Sequence, residues 1–210
     1  YFDASQRQKF LREFYQELGI TFLEMLASFY RFSRFVEKFS DVEGKENLQK
    51  VLAQGKGAFV MTAHLGNWEV LCVTGPEFIG TPVTMVTKTL KPDWFHRVVS
   101  LTRELTGVKM ACEPKTMPTI LRALKKNEIV GMVMDQYTGA PVGARVPFFF
   151  FFVGSHTALA TLALRTDVPV VPAIAVRKPD GRFLIRFEPP FETLEDENQE
   201  LAVLKNTAQY

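Results

Sequence analysis

From Gly44 onward, short and nearly continuous apolar runs alternate with longer stretches of mixed polarity, and this alternation limits the available folds more than any other feature. It is the signature of an α/β domain. Strands are predicted at 58–63, 82–87, 108–112, 129–134, 168–176 and 183–187, and helices at 67–77, 92–106, 117–126 and 156–166. Strands joined by crossover helices make a largely parallel central sheet flanked by helices. The turn sequence Pro179-Asp180-Gly181-Arg182 makes the last two strands an antiparallel pair. No internal repeat or low-complexity linker interrupts the pattern.

Ahead of the sheet, Phe10, Phe14, Leu18, Phe22, Met25 or Leu26, Phe29, Phe32 and Val36 recur every three or four positions. This predicts one long amphipathic helix over about 4–39, or two shorter ones with Gly19 as the break. Arg7, Lys9, Arg12, Arg31, Arg34 and Lys38 lie between the apolar positions, a distribution that suits packing on a domain as well as lying on an anionic membrane. The chain therefore divides into an N-terminal amphipathic helical segment (1–40) and an α/β domain (41–210).

A length of 210 residues, 47% hydrophobic and 23% charged, suffices for one domain with a sizeable core. A formal charge of +2 is too mild to point to nucleic acid. Cys72 and Cys112 stand alone, which excludes a disulfide framework or a structural zinc site and suits a reducing, cytoplasmic-side location. No apolar stretch of about 18 residues occurs, so nothing here reads as a bilayer span. The 19 phenylalanines are a large number for a plain soluble enzyme and mean either lipid contact or a Phe-rich core. The abrupt ends, at Tyr1 and inside a helical pattern at Tyr210, suggest a piece of a longer protein.

The chemistry-bearing stretch is Ala63-His64-Leu65-Gly66-Asn67-Trp68-Glu69. Here a buried strand ends and a helix begins, where α/β folds place their sites. Within one helix a spacing of five turns a side chain through about 500°, roughly 140° off a common face, so His64 and Glu69 can pair only if His64 precedes the helix. Gly66 permits the tight backbone and Asn67 is a good N-cap. A carboxylate on one imidazole nitrogen fixes the tautomer and stabilises the imidazolium, leaving the other nitrogen to take a proton from a hydroxyl. The bare spacing by itself favours a half-buried histidine beside a solvated Glu, because so short a pattern arises readily by chance.

This block resembles the His-x4-Glu motif of the bacterial lipid A biosynthesis acyltransferases, the lauroyl/myristoyl group, and of relatives that acylate phosphatidylinositol mannosides. Three further blocks follow in the family's order: VTMVTKTLK (83–91), VGMVMDQ (130–136), and Val146-Pro147-Phe148-Phe149 followed by Ala163-Leu164-Arg165-Thr166 and 168–172. The resemblance covers 42–191. It implies transfer of a fatty acyl group from acyl carrier protein, or from coenzyme A, to a hydroxyl of a glycolipid at the cytoplasmic face of the bacterial inner membrane. No cofactor or metal is implied. His64 would be the general base, Glu69 its orienting partner, and no acyl-enzyme would form. Asp135 and Gln136 match the family's Asp-Gln, Asp135 to orient substrate or a basic side chain, or to serve a turn. Lys88 stands where the family often has Arg; it keeps the charge but loses the bidentate fork. The family's N-terminal anchor and its terminal Trp-x-His-x-Arg segment are absent, which suggests truncation.

The run Phe148–Phe152, if a strand, is apolar on both faces. It is either buried between layers, or it lines an acyl-chain groove or dips into lipid; on this reading Phe148 and Phe149 are substrate-contact candidates. Arg145 and Arg165 flank the run as candidates for acceptor phosphates, with Asn67, Lys88 and Gln136 completing the substrate set. Lys88, Lys91, Arg97, Arg103 and Lys109 form a positive cluster, read mostly as a solvated helix face. Ser155-His156 is not a serine-hydrolase signature, because adjacent residues cannot form a triad and no GxSxG occurs. A thioester hydrolase and a non-catalytic lipid-binding protein are the competing functions.

Overall fold

The computed structural model describes residues 3–29 and 38–210. Its centre is a seven-stranded sheet of β1 (Ser40–Glu43), β2 (Ala58–Thr62), β3 (Val83–Val86), β4 (Val108–Ala111), β5 (Ile129–Val133), β8 (Val170–Arg177) and β9 (Phe183–Phe187), ordered β1-β9-β8-β2-β5-β3-β4. Every neighbouring pair is parallel except β8 and β9, which are antiparallel. The remaining two strands, β6 (Gly143–Phe148) and β7 (Phe151–His156), form a separate antiparallel hairpin. The fold is thus α/β with a mostly parallel sheet, as the alternating runs predict.

Seven helices complete the described structure: α1 (Ala4–Phe29), α2 (Lys45–Leu52), α3 (Trp68–Ile79), α4 (Asp93–Leu105), α5 (Thr116–Lys125), α6 (Ala158–Thr166) and α7 (Gln199–Gln209). Side chains alternate across the sheet and divide the core in two. Val60, Met85 and Ala175 face one cluster, closed by Leu48 and Val51 of α2 and Val70 and Leu71 of α3. Phe59, Val130 and Met132 face the other, closed by Ile120 and Leu124 of α5 and Leu159 and Leu162 of α6. Strand β1 and helix α2 were not legible in the sequence. A four-residue edge strand carries too little periodicity to stand out, and it is held by pairing with β9 and by Asp41, which binds Lys178 and Arg182.

Helix α1 runs through Gly19 without a break. It opens on an Asp3/Gln6 capping box, in which the Gln6 amide donates to Asp3 Oδ1 (2.8 Å) and the Asp3 amide to Gln6 Oε1 (3.1 Å). Its C-terminal half is docked: Thr21 and Met25 are buried, Phe22 meets Phe95, and Arg177 of β8 donates to both Glu17 and Glu24. Along the rest of its surface Phe10, Phe14, Tyr15, Leu18 and Leu23 are exposed. Arg31, Phe32, Arg34 and Val36 of the predicted helix lie outside the described residues. Among the described residues no helix is long and apolar enough to cross a membrane.

The junction between β2 and α3 positions everything that follows. Gly66 has φ 62° and bridges to Ala175 of β8; a Cβ there would lie 2.0 Å from the Ala175 carbonyl oxygen. Only glycine combines this left-handed conformation with so close an approach. Gly66→Ala is expected to cost about 2 to 4 kcal/mol, the sum of strain and a broken bridge, measured as a lower midpoint of urea unfolding.

Candidate active site

Strand β2 ends at Thr62, and His64 follows in the short link before α3. The His64 ring nitrogen Nδ1 lies 2.6 Å from Asp135 Oδ1, and the His64 backbone amide donates to Asp135 Oδ2 at 2.7 Å. Asp135 follows the end of β5, the parallel neighbour of β2, so adjacent strands deliver the two side chains to the same sheet edge. An ionised Asp135 accepts from Nδ1–H and leaves Nε2 as the basic nitrogen.

Glu69 is used differently from the orienting role expected of it. Its carboxylate is held by Arg103 of α4, with Nη2 to Oε1 at 2.6 Å and Nε to Oε2 at 3.2 Å, and it accepts from Trp68 Nε1 at 3.1 Å. The Trp68 ring meets the His64 ring edge-on, 4.8 Å between centroids. Glu69 therefore reaches His64 through Trp68, while the carboxylate on the imidazole is Asp135. The spacing argument required His64 to precede the helix and it does, but it could not see Asp135, which is 71 residues away. Arg103, expected on a solvated face, is only 8% exposed.

These residues open on a cavity of about 950 Å³ at the C-terminal ends of β2, β3 and β5. His64, Trp68, Glu69, Lys88 and Gln136 line it, together with Leu18 and Phe22 of α1 and Met85, Val99, Ile120, Met132 and Leu162 of the sheet and helices. The wall is mostly apolar with polar groups set among the apolar ones, the pattern of a site for a long apolar ligand. Cys72 also lines it, but burial pushes its thiol up to about 12, so it stays a neutral thiol. Among the described residues no group of three or more His, Cys, Asp or Glu gathers as a metal site.

Five candidates fall elsewhere. Asn67 is wholly buried: its Oδ1 accepts from Val70 N (3.0 Å) and its Nδ2 donates to Glu24 Oε2 (2.8 Å), which leaves it a helix cap and strut rather than a substrate contact. Phe148 and Phe149 lie outside the cavity, exposed at the hairpin tip. Arg145 is exposed on β6, and Arg165 is exposed in the last turn of α6, where it complements the helix dipole. Sequence reasoning missed His156, at the end of β7, which lines the same cavity. Its Nδ1 accepts from Ala158 N at 3.0 Å, so its proton sits on Nε2. Burial, and then the nearby Lys88 charge, lower its pKa and keep it a neutral donor.

Two outcomes follow from this geometry. Arg103→Ala strands Glu69 with little solvent and is expected to cost about 3 to 5 kcal/mol in urea unfolding, with much of the loss recovered when Glu69→Gln is added. Because the folded-state pKa of His156 is lowered, its contribution to stability is complete above the unfolded value near 6.5 and is lost as pH falls through the lower folded value. His156→Asn, which keeps an acceptor for Ala158, should therefore show a smaller drop in thermal midpoint between neutral and mildly acidic buffer than the parent.

The family described as bacterial lipid A biosynthesis acyltransferase matches residues 3–209. A lipid A biosynthesis palmitoleoyltransferase of Escherichia coli K12 is 28% identical over 207 residues, covering 96% of this chain and 66% of that protein. A lipid A biosynthesis lauroyltransferase of the same organism is 24% identical over 179 residues, covering 84% of this chain and 57% of that protein. The chain thus spans somewhat under two thirds of the length of these relatives. With the match running over nearly its whole length, the chain belongs to the bacterial lipid A biosynthesis acyltransferase family.

Proposed function

We propose that this protein transfers a fatty acyl group from a thioester, carried by acyl carrier protein or coenzyme A, to a hydroxyl of a lipid A precursor. The observation that carries this reading is the His64–Asp135 pair, with His64 on the wall of a large, mostly apolar cavity. The acyl chain occupies the cavity and its thioester carbonyl lies beside His64. Nε2 removes the acceptor's proton as its oxygen bonds to the carbonyl carbon; the C–S bond then breaks and the imidazolium returns the proton to the departing sulfur. Asp135 keeps Nδ1 protonated and stabilises the imidazolium between the two transfers.

A direct transfer suits the surroundings better than an acyl-enzyme. Cys72 borders the cavity but remains a thiol, and a thiol is a poor nucleophile. The neutral Nε2–H of His156 and the ammonium of Lys88 line the same space and supply donors for the developing oxyanion or for an acceptor phosphate. Glu69 and Arg103 act as positioning residues, fixing Trp68 and through it the imidazole plane. The protein works at the cytoplasmic face of the inner membrane, where a lipid acceptor and a soluble donor meet.

Asp135→Asn preserves shape but removes the charge that holds the tautomer, and is expected to lower kcat by about 10³ to 10⁴-fold. His64→Ala should lose transfer altogether with an unchanged thermal midpoint. Both are measured as acylated glycolipid formed from an acyl thioester. Wild-type rates in either variant, or free fatty acid as the sole product with acceptor present, overturn the assignment.

A further inference from the structure

The β6–β7 hairpin takes no part in the cavity wall beyond its base, yet it ends in an unusual tip. Phe148, Phe149, Phe150, Phe151 and Phe152 are 58, 85, 95, 74 and 67% exposed. Phe148 pairs with Phe151, which leaves Phe149 and Phe150 as a two-residue turn. Phe149 has φ 51°, a conformation that glycine or asparagine takes readily and a bulky aromatic seldom does. The chain thus holds a phenylalanine in water at a position where local preference opposes it, and neither folding nor the cavity accounts for this.

What covers the tip is limited by its shape. Successive strand residues point to opposite faces, so the apolar surface wraps both sides of a projecting finger rather than forming one flat patch. A single protein face covers one side; a fluid apolar medium covers both. The charge around the finger agrees. From Gln136 to Thr166 the chain has no Asp or Glu, while Arg145 sits three residues below the tip with its guanidinium 5.9 Å from the Phe152 ring centroid. This places a cation in a collar beneath the aromatic end, the arrangement that suits acyl chains below and anionic head groups above.

We propose that this hairpin is a wedge that enters the lipid bilayer, with the five phenylalanines among the acyl chains and Arg145 at the phosphates. His156, at the other end of β7, lines the catalytic cavity. Arg145 pairs with Gly154, so His156 lies two strand steps, about 7 Å, further from the tip, at the head-group side when Arg145 meets the phosphates. The wedge therefore holds the cavity at the head-group level, where a glycolipid hydroxyl is presented. This deepens the acyl-transfer reading and rests on it for the placing of the cavity; the membrane contact itself is tested without any acyl donor.

The test uses the chain and vesicles of phosphatidylethanolamine with about a quarter phosphatidylglycerol. The double variant Phe149→Asn, Phe150→Gly supplies the preferred two-residue hairpin turn, so it keeps the fold while stripping the tip. It is expected to sediment with vesicles at least about tenfold more weakly, with its thermal midpoint unchanged or raised. Phe150→Trp should add blue-shifted emission that lipids brominated in the acyl chain quench, relative to the parent protein with Trp68 and Trp94 alone. Vesicle binding equal to the parent in the double variant, or no quenching of the added Trp, overturns the wedge. So does a vesicle-free dimer that the double variant dissociates, since a second copy then covers the tip. His64→Ala should bind vesicles like the parent, so loss of transfer with binding intact bears on catalysis and loss of binding with transfer intact in detergent bears on the wedge.

Discussion

Asn67 is fully buried, and its four polar groups are spent on three different elements. Its amide donates to Ala175 of β8, its carbonyl accepts from Leu71 of α3, its Oδ1 caps the Val70 amide and its Nδ2 reaches Glu24 of α1. A buried amide side chain is costly unless satisfied, so this residue tolerates one arrangement of sheet, helix α3 and helix α1. The same arrangement sets the direction in which α3 leaves the sheet, and with it Trp68 and Glu69. It also brings α1 across the cavity as a wall. Gly66, immediately before it, makes the close approach to β8 that lets the Asn67 amide reach its acceptor.

From that junction the electrostatics divide into two layers. The outer layer is the His64–Asp135 pair, with about a third of each side chain exposed. The inner layer is the Glu69–Arg103 pair, with about a tenth of each side chain exposed. A buried bidentate pair of this kind contributes little net stability against an apolar alternative, but it is unforgiving of the loss of either member. Its use here is geometric. It anchors the indole that meets the imidazole, so the His64 ring is held by a carboxylate at Nδ1 and by an aromatic neighbour.

The cavity, the α1 wall and the Phe hairpin form a third level, in which apolar surface is left open. Apolar side chains are exposed on α1 and at the hairpin tip. The two elements border the cavity from different parts of the chain: Leu18 and Phe22 from α1, and His156 from the hairpin base. An apolar ligand entering this space leaves water for a wall of methionine, leucine and phenylalanine, and that transfer supplies binding without any directional group.

Much of the fold was legible in the chain itself. Period-two and period-3.6 patterns are local, so β2, β5, β9 and the helices α3 to α5 were found within a residue or two of their ends. The His64-Leu65-Gly66-Asn67 punctuation likewise announced a strand end and a helix start, because a left-handed glycine and a capping asparagine act on their immediate neighbours. Partnership across the fold was not legible. Whether His64 meets Glu69 or Asp135, whether Arg103 is solvated or buried, and whether five phenylalanines face a core or solvent depend on which strands lie side by side and which surfaces remain uncovered. Residues 64 and 135 become neighbours only because β2 and β5 pair in register, and hydrogen-bonded register between distant strands is a tertiary decision that local propensity does not encode.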